Sequence, residues 1–397
     1  MAGIVIIGAG ECGVRAAFTL RDKGFSQSIT LIGAEAALPY ERPPLSKGQT
    51  DELKPIRAEA AYDDAAIDLR LNTDAQSVDV GEKTVHLSDG SVLDYGKLLI
   101  ATGARARLFP GMDGCLTLRT HEDAQRIVAG CGSGKRIGVI GGGFIGLELA
   151  ATARRAGSAV TVIEAAPELM ARAVPSEIAR YVQSRHEDEG VALRTGVKVA
   201  SANAETITLD GGETLSFDVV VAGVGALPDT DLAEAAGLDV DNGIVVDGSF
   251  RTSASDVFAA GDCCNFPWRG GRVRLESWRA AQDQGEHAAC AMLGEAGDYA
   301  KVPWFWSDQF DLSLQVAGLF DPRRETVRRD LDGDAFLLFQ RDVDGRLEAA
   351  AGVGLGNTVA KHIRLAEKLI EREATIEPAD LADPGVDLKR LLKAAQS

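Results

Sequence analysis

Apolar positions along the chain fall into short, dense runs that alternate with segments of helical spacing. The first run, Ile4-Val-Ile-Ile7, is β-branched and uncharged and leads into Gly8-Ala-Gly10-Glu-Cys12-Gly13, after which apolar residues recur at Ala16, Ala17, Phe18 and Leu20. That order predicts a buried strand, a glycine turn and a helix. A second run, Ile29-Thr-Leu-Ile32, closes near Glu35, where a βαβ unit places a ribose-binding carboxylate. Gly8 permits the turn, Gly10 lets the backbone approach a pyrophosphate, and Gly13 lets helix and strand pack closely.

The pattern then repeats. Residues 69–71, 76–80, 84–87 and 98–103 read as a meander of short strands returning to the sheet, the last ending in Ala101-Thr-Gly103. Arg136–Ile140 is the next strand, Gly141-Gly-Gly143-Phe-Ile145-Gly146 its turn, 147–153 a helix, and Ala159–Ile163 a strand closing on Glu164. A carboxylate there accepts from a ribose 2′-hydroxyl and repels a 2′-phosphate, which predicts NADH over NADPH. Residues 191–194, 197–199, 206–209 and 217–221, with Gly223 and Gly225 following, copy the first meander. Two duplicated dinucleotide domains are expected, and their simplest joint use is a flavoprotein that passes hydride from nicotinamide to flavin.

The segment Leu38-Pro-Tyr-Glu-Arg42-Pro-Pro-Leu-Ser-Lys47-Gly48 is expected to be held extended by its prolines. It is read as a stiff loop whose cations are either solvated or turned to an electron-rich cofactor. Residues 243–247 and 252–262 give a strand ending at Gly261-Asp262, where a carboxylate can hold a polyol, and Glu276-Ser-Trp278 opens a helix whose N–H groups suit the electron-rich end of a flavin ring. Trp304 and Trp306 form an aromatic cluster that is either core or the wall of a planar cofactor. Beyond it, 313–317, 325–329, 335–340 and 347–352 read as antiparallel strands, and 357–372 and 388–395 as helices, the second N-capped by Asp387.

The expected fold class is therefore α/β, with two Rossmann-like dinucleotide-binding domains of the glutathione-reductase-like kind and a C-terminal α+β domain. The expected division is 1–110 with 238–302 for FAD, 111–237 for NAD, and 303–397 for the tail. A net charge of −17 argues against nucleic acid as a partner, because phosphate binding needs clustered Lys and Arg. No run approaches the about 18 apolar residues of a membrane span, and the first strand begins too early to leave room for a signal peptide. A cytoplasmic protein is expected. The 6 cysteines show neither CxxC nor metal-ligand spacing, so most read as small buried hydrophobes; no metal is expected, and the want of a dithiol argues against the disulfide reductases.

Taken together, Gly8-x-Gly10-x-x-Gly13, Arg42-Pro-Pro-Leu-Ser-Lys47, Ala101-Thr-Gly103, Leu118-Arg119-Thr, Gly146-Leu-Glu148, Ala260-Gly-Asp262 and Trp306-Ser-Asp-Gln resemble, in order and over essentially the whole chain, one family. It is the FAD-dependent, NADH-using ferredoxin reductases of bacterial cytochrome P450 and Rieske oxygenase systems, the family of putidaredoxin reductase and biphenyl dioxygenase ferredoxin reductase. The resemblance implies that the backbone at Cys12 and Gly13 holds the FAD pyrophosphate, that Glu35 meets the adenosine ribose, and that Val78 and Arg119 contact FAD. Asp262 would bind the ribitol and Trp278 the flavin end. Lys47 would sit beside flavin N5, with Glu148 near it and near the nicotinamide. Several relatives carry an aspartate where this chain has Ala34, and Glu35 stands as its substitute. The implied reaction runs from NADH through FAD to a [2Fe–2S] ferredoxin; NADH:rubredoxin reductase is the alternative, differing only in the docking surface. Apoptosis-inducing-factor-like flavoproteins share the scaffold but carry a long basic C-terminal insertion that this chain lacks. Arg269, Arg272, Arg274, Arg323, Arg324, Arg328 and Arg329 are the candidates for a basic surface that steers an acidic ferredoxin. The pattern does not specify an oligomeric state.

Overall fold

The computed structural model describes residues 3–48 and 52–395, which divide between two compact units. The first takes in residues up to 42, then 52–105 and 226–301. Its centre is a parallel sheet in the order Val257–Ala259, Lys97–Ile100, Ile4–Ile7, Ile29–Ile32, Ile67–Arg70. The central strands are apolar at nearly every position because both faces of a parallel sheet are covered. Helices Glu11–Asp22 and Trp278–Met292 pack against each other, and they approach so closely that a Cβ on Gly285 would stand 2.3 Å from the Cys12 carbonyl oxygen. The meander is Ala75–Asp79, Thr84–Leu87 and Val92–Asp94; its third strand is too short and too exposed to show in the sequence pattern.

The second unit takes in 43–48, 106–225 and 302–395. A parallel sheet, Ala192–Arg194, Ala159–Ile163, Arg136–Ile140 and Val219–Ala222, repeats the first unit's plan with its own meander. The expected strand at 197–199 begins instead at Val199 and runs to Ala202. The tail adds an antiparallel sheet ordered Trp304–Gln309, Leu312–Gly318, Leu347–Leu355, Phe336–Arg341, Thr326–Asp330, so the tryptophan cluster is an edge strand. This sheet is buried on both faces. Leu337 and Phe339 face Ile363 and Leu369 of helix Ala360–Glu371, while Phe336 and Leu338 face Ile178 and Val182 of helix Ser176–Asp188. The uninterrupted run Phe336-Leu-Leu-Phe339 follows from that double burial, since alternate residues serve opposite faces. Helix Leu388–Ala394 is capped by the Asp387 side chain, which accepts from Lys389 N–H.

The proline-rich segment departs from expectation. Pro43–Lys47 is a turn of 3-10 helix rather than extended chain. Both prolines occupy its first positions, where a missing N–H removes no helical bond and a fixed φ suits the helix.

The basic surface also contracts. Arg329, 2% exposed, donates to the carbonyls of Leu381 and Asp380, each at 2.6 Å, and to Val386 at 3.2 Å. It closes the C-terminal end of the short helix Pro378–Ala382 and is no docking residue. Arg272 is spent on the Val246 and Asn265 carbonyls, and Arg274 is paired with Glu276 at 2.5 Å. Arg324 and Arg328 are ion-paired with Glu348 and Glu177; Arg323 pairs with Asp321 at 2.8 Å, but its side chain is 86% exposed. Arg329→Met is expected to destabilise the protein by about 2–4 kcal/mol, because it strands buried carbonyls. Arg323→Met should change stability by under about 1 kcal/mol; parallel urea melts check the contrast.

Candidate functional site: two glycine turns and a lysine–glutamate pair

The glycines of the first turn have separable causes. Gly8 takes φ +109°, and a Cβ there would lie 2.1 Å from the Ala101 carbonyl oxygen; a Cβ on Gly13 would lie 1.9 Å from that of Gly8. These two are required by the protein's own packing. Gly10 is different: its φ is −82°, open to any residue, and a Cβ would meet no atom within 4 Å. Space is kept there at the N-terminus of helix Glu11–Asp22, where amide N–H groups and the helix dipole favour an anion. Gly141, Gly146 and Gly143 repeat the arrangement in the second unit. A Cβ on Gly141 would be 2.3 Å from the Gly223 oxygen and one on Gly146 2.2 Å from that of Gly141, while one on Gly143, with φ −81°, would meet nothing. Both turns therefore fit a dinucleotide pyrophosphate.

Around the first turn, Glu35 accepts from the Tyr40 hydroxyl at 2.6 Å and from Arg42 at 2.8 Å, which fixes its carboxylate at the end of the second strand. Gly261 N–H donates to Gln284 Oε1 at 2.8 Å. Gln284 is fully buried, and its Nε2 has no protein partner, a polar atom left over for a ligand beside Asp262. Trp278 is the first residue of its helix, and Ser277 caps that helix by accepting from Ala280 N–H. Ala101 and Val78 are buried. Cys12, Cys263 and Cys264 are buried free cysteines. Burial pushes each thiol well above its ordinary value, Cys263 to about 11, so none supplies a thiolate.

In the second unit, Glu164 accepts from Gly142 N–H and Ala166 N–H, each at 2.7 Å. A Cβ on Gly142 would press to 3.2 Å from that of Glu164 and 2.5 Å from Leu169, so this middle glycine admits the acid. Ile145, on the first turn of helix Phe144–Arg155, is 49% exposed. Gly225 accepts from Arg107 N–H at 3.0 Å. Arg119 precedes helix His121–Ala129, its N–H bonded to Asp123. Trp306 stacks on Trp304 at 5.5 Å and donates to Asp308.

Lys47 and Glu148 come together: Nζ lies 2.9 Å from Oε1, with Glu148 only 8% exposed. Two hydroxyls that sequence reading missed complete the site, Ser46 donating to Oε2 and Ser307 to Oε1 at 2.6 Å. Thr152, one helical turn beyond Glu148, donates to the Ser46 carbonyl at 2.8 Å and anchors the turn that carries Lys47. The i, i+4 spacing of Glu148 and Thr152 was visible in the sequence; their common partner was not.

Gly10→Ala is expected to leave the apoprotein's melting temperature unchanged while weakening FAD retention about 10- to 100-fold, the consequence of a methyl group in space kept for a ligand. Gly13→Ala should lower the melting temperature of the apoprotein itself. Calorimetry with and without FAD, and FAD titration, separate the two.

Residues 2–285 match the family model described as pyridine nucleotide-disulphide oxidoreductase, and residues 304–392 match Reductase C-terminal. The chain is 42% identical to the anthranilate 1,2-dioxygenase system ferredoxin--NAD(+) reductase component of Burkholderia cepacia, covering 98% of each. It is 39% identical to a rubredoxin-NAD(+) reductase of Pseudomonas putida, over 79% of this chain and 86% of that one. Among solved structures, that of the covalent putidaredoxin reductase-putidaredoxin complex superposes with a TM-score of 0.93 at 32% identity, covering 100% of this chain and 99% of that one. Among the described residues no helix is long and apolar enough to cross a membrane. With a family model over most of its length and full-length relatives above the identity that marks common descent, the chain belongs to the pyridine nucleotide-disulphide oxidoreductases and, within them, to the FAD- and NAD-using ferredoxin--NAD(+) reductases.

Proposed function

We propose that this flavoprotein carries electrons from NADH, by way of FAD, to a small [2Fe–2S] ferredoxin that feeds a cytochrome P450 or Rieske-type oxygenase. The observation that carries the reading is the pair of glycine turns, each with one glycine that packing does not require, in a chain whose buried thiols cannot serve as thiolates. That combination supports two dinucleotides and no dithiol relay. The working division is 1–110 with 238–302 for FAD, 111–237 for NAD and 303–397 for the tail.

FAD, when bound, supplies the conversion between a two-electron donor and one-electron acceptors. The chain's own residues hold and tune. The amides at Gly10, Cys12 and Gly13 bind the pyrophosphate, Glu35, kept in place by Tyr40 and Arg42, binds the adenosine ribose, and Asp262 binds the polyol. Val78, Ala101 and Arg119 line the same cofactor, with Trp278 at its ring end. Gly141, Gly143, Ile145, Gly146 and Gly225 receive NADH, and Glu164 takes the ribose hydroxyls. Each Glu164 oxygen already accepts one backbone N–H and keeps capacity for another donor. Lys47 presents a cation to the reacting ring, balanced by Glu148, and Trp306 walls the site. NADH turns over chiefly in the cytoplasm, and we place the protein there.

NADH-driven cytochrome c reduction by the purified holoprotein is expected to depend on added [2Fe–2S] ferredoxin. A preference for rubredoxin would favour that acceptor instead, and no acceptor turnover despite flavin bleaching would overturn the reading. Glu164→Ala should lower the NADH-over-NADPH ratio of kcat/KM about 10- to 100-fold, measured side by side in that assay.

A further inference from the structure

The second unit contains a buried polar chain that extends beyond the Lys47–Glu148 pair. Ser307 Oγ lies 2.6 Å from Glu148 Oε1, Gln309 Nε2 lies 3.1 Å from Ser307 Oγ, and Gln309 Oε1 lies 2.8 Å from His186 Nε2. Ser307 and His186 are fully buried and Gln309 nearly so. The edge strand Trp304–Gln309 creates the arrangement: residues 307 and 309 share one face, Trp304 and Trp306 the other. His186 comes from helix Ser176–Asp188 and lies edge-on to Phe310, ring centroids 5.0 Å apart.

The direction of each hydrogen bond follows from one end. Glu148 is paired with the Lys47 ammonium, and a carboxylate only accepts. Ser307 therefore commits its single proton to Glu148, and its lone pair meets a donor, the Gln309 amide N–H. That orientation turns the Gln309 carbonyl towards His186, so the proton on His186 sits at Nε2. Its Nδ1 is buried without a hydrogen-bond partner, and burial pushes the ring's pKa below its ordinary value, consistent with one proton at Nε2. An amide relays a proton only through its imidic acid form, so the chain orients rather than conducts.

We propose that His186, Gln309 and Ser307 are positioning residues for the nicotinamide half-reaction: a one-way donor chain, polarised from the Nε2–H of His186, that holds the Glu148 carboxylate in place and so sets where Lys47 points. This rests on the NADH–flavin reading above. Ser46 and Ser307 satisfy Glu148 with neutral donors, which leaves Lys47 able to turn to a ligand. With the chain broken, the Gln309 amide is free to flip, the Ser307 proton turns away, and Glu148, short of a donor, holds the ammonium it already pairs with more tightly.

The FAD-loaded holoenzyme tests this in two ways. Nitrogen-15 NMR of labelled histidine is expected to show His186 as the Nε2–H tautomer, with Gln309→Leu producing a tautomer mixture. In anaerobic stopped-flow experiments, Ser307→Ala and Gln309→Leu should slow the limiting rate of flavin reduction by NADH about 10-fold or more, the effect of losing a buried donor to a charge. The apparent KM for NADH and reoxidation by ferricyanide should stay within about three-fold, as for a group acting in one step only. Ser307→Thr, which keeps the hydroxyl, should recover most of the rate. A wild-type Nδ1–H tautomer, or Ser307→Ala as fast as wild type, overturns the proposal. If Gln309→Leu does not fold, the wild-type tautomer and the Ser307 pair still decide. A wild-type flavin that NADH does not reduce would instead overturn the reading of function, while the tautomer result still judges the chain's polarity.

Discussion

The architecture depends on how closely a helix N-terminus can approach the strand before it. Gly13 against the Gly8 carbonyl and Gly146 against the Gly141 carbonyl leave no room for a single methyl group. That contact aims the first N–H groups of helices Glu11–Asp22 and Phe144–Arg155 at a common point above each sheet, and it is what makes each turn an anion seat. The next requirement follows from it. The returning strands must bring Ala101 and Gly223 against Gly8 and Gly141, which forces positive φ at those glycines. Gly10 and Gly143 are left as the glycines whose reason lies outside the protein.

The second unit places a buried charge on this frame. Glu148 stands two residues past Gly146, on the same helix as the anion seat, and burying it demands donors. They come from distant parts of the chain: Lys47 and Ser46 from the 3-10 turn, Ser307 from the edge strand of the tail. The tail sheet thus reaches the dinucleotide helix through a polar contact as well as through the apolar face shared with helix Ser176–Asp188.

Much of this was legible in the sequence because local rules govern it. Strand, turn and helix around Gly8 and Gly141 follow from apolar runs and glycine spacing, and the duplication follows from the repeated order. What stayed hidden depended on contacts between remote positions. The prolines at 43 and 44 pointed away from helix, yet they sit where a helix tolerates them. Arg329 and Arg272 looked like surface cations because a charge run carries no sign of the backbone carbonyls awaiting it. Ser307 and Gln309 lay inside the motif that begins at Trp306, but nothing in the sequence joined them to His186 or Glu148, since only the three-dimensional register of an edge strand lines them up. Trp306 drew attention for its size, whereas the neighbours on the opposite face of the same strand make the buried chain.

Neither unit is a continuous stretch of chain, and this has a consequence for how the protein emerges from the ribosome. The first unit's parallel sheet has an unpaired edge along Lys97–Ile100 until Val257–Ala259 has been made, and the helix that packs on Glu11–Asp22 comes later still, at Trp278–Met292. The second unit's apolar residues on helix Ser176–Asp188 wait for strands Leu312–Gly318 and Phe336–Arg341. A nascent chain of this design exposes open sheet edges and bare apolar faces through most of its synthesis. Its yield in a cell is therefore governed by protection of the growing chain as well as by the stability of the finished fold.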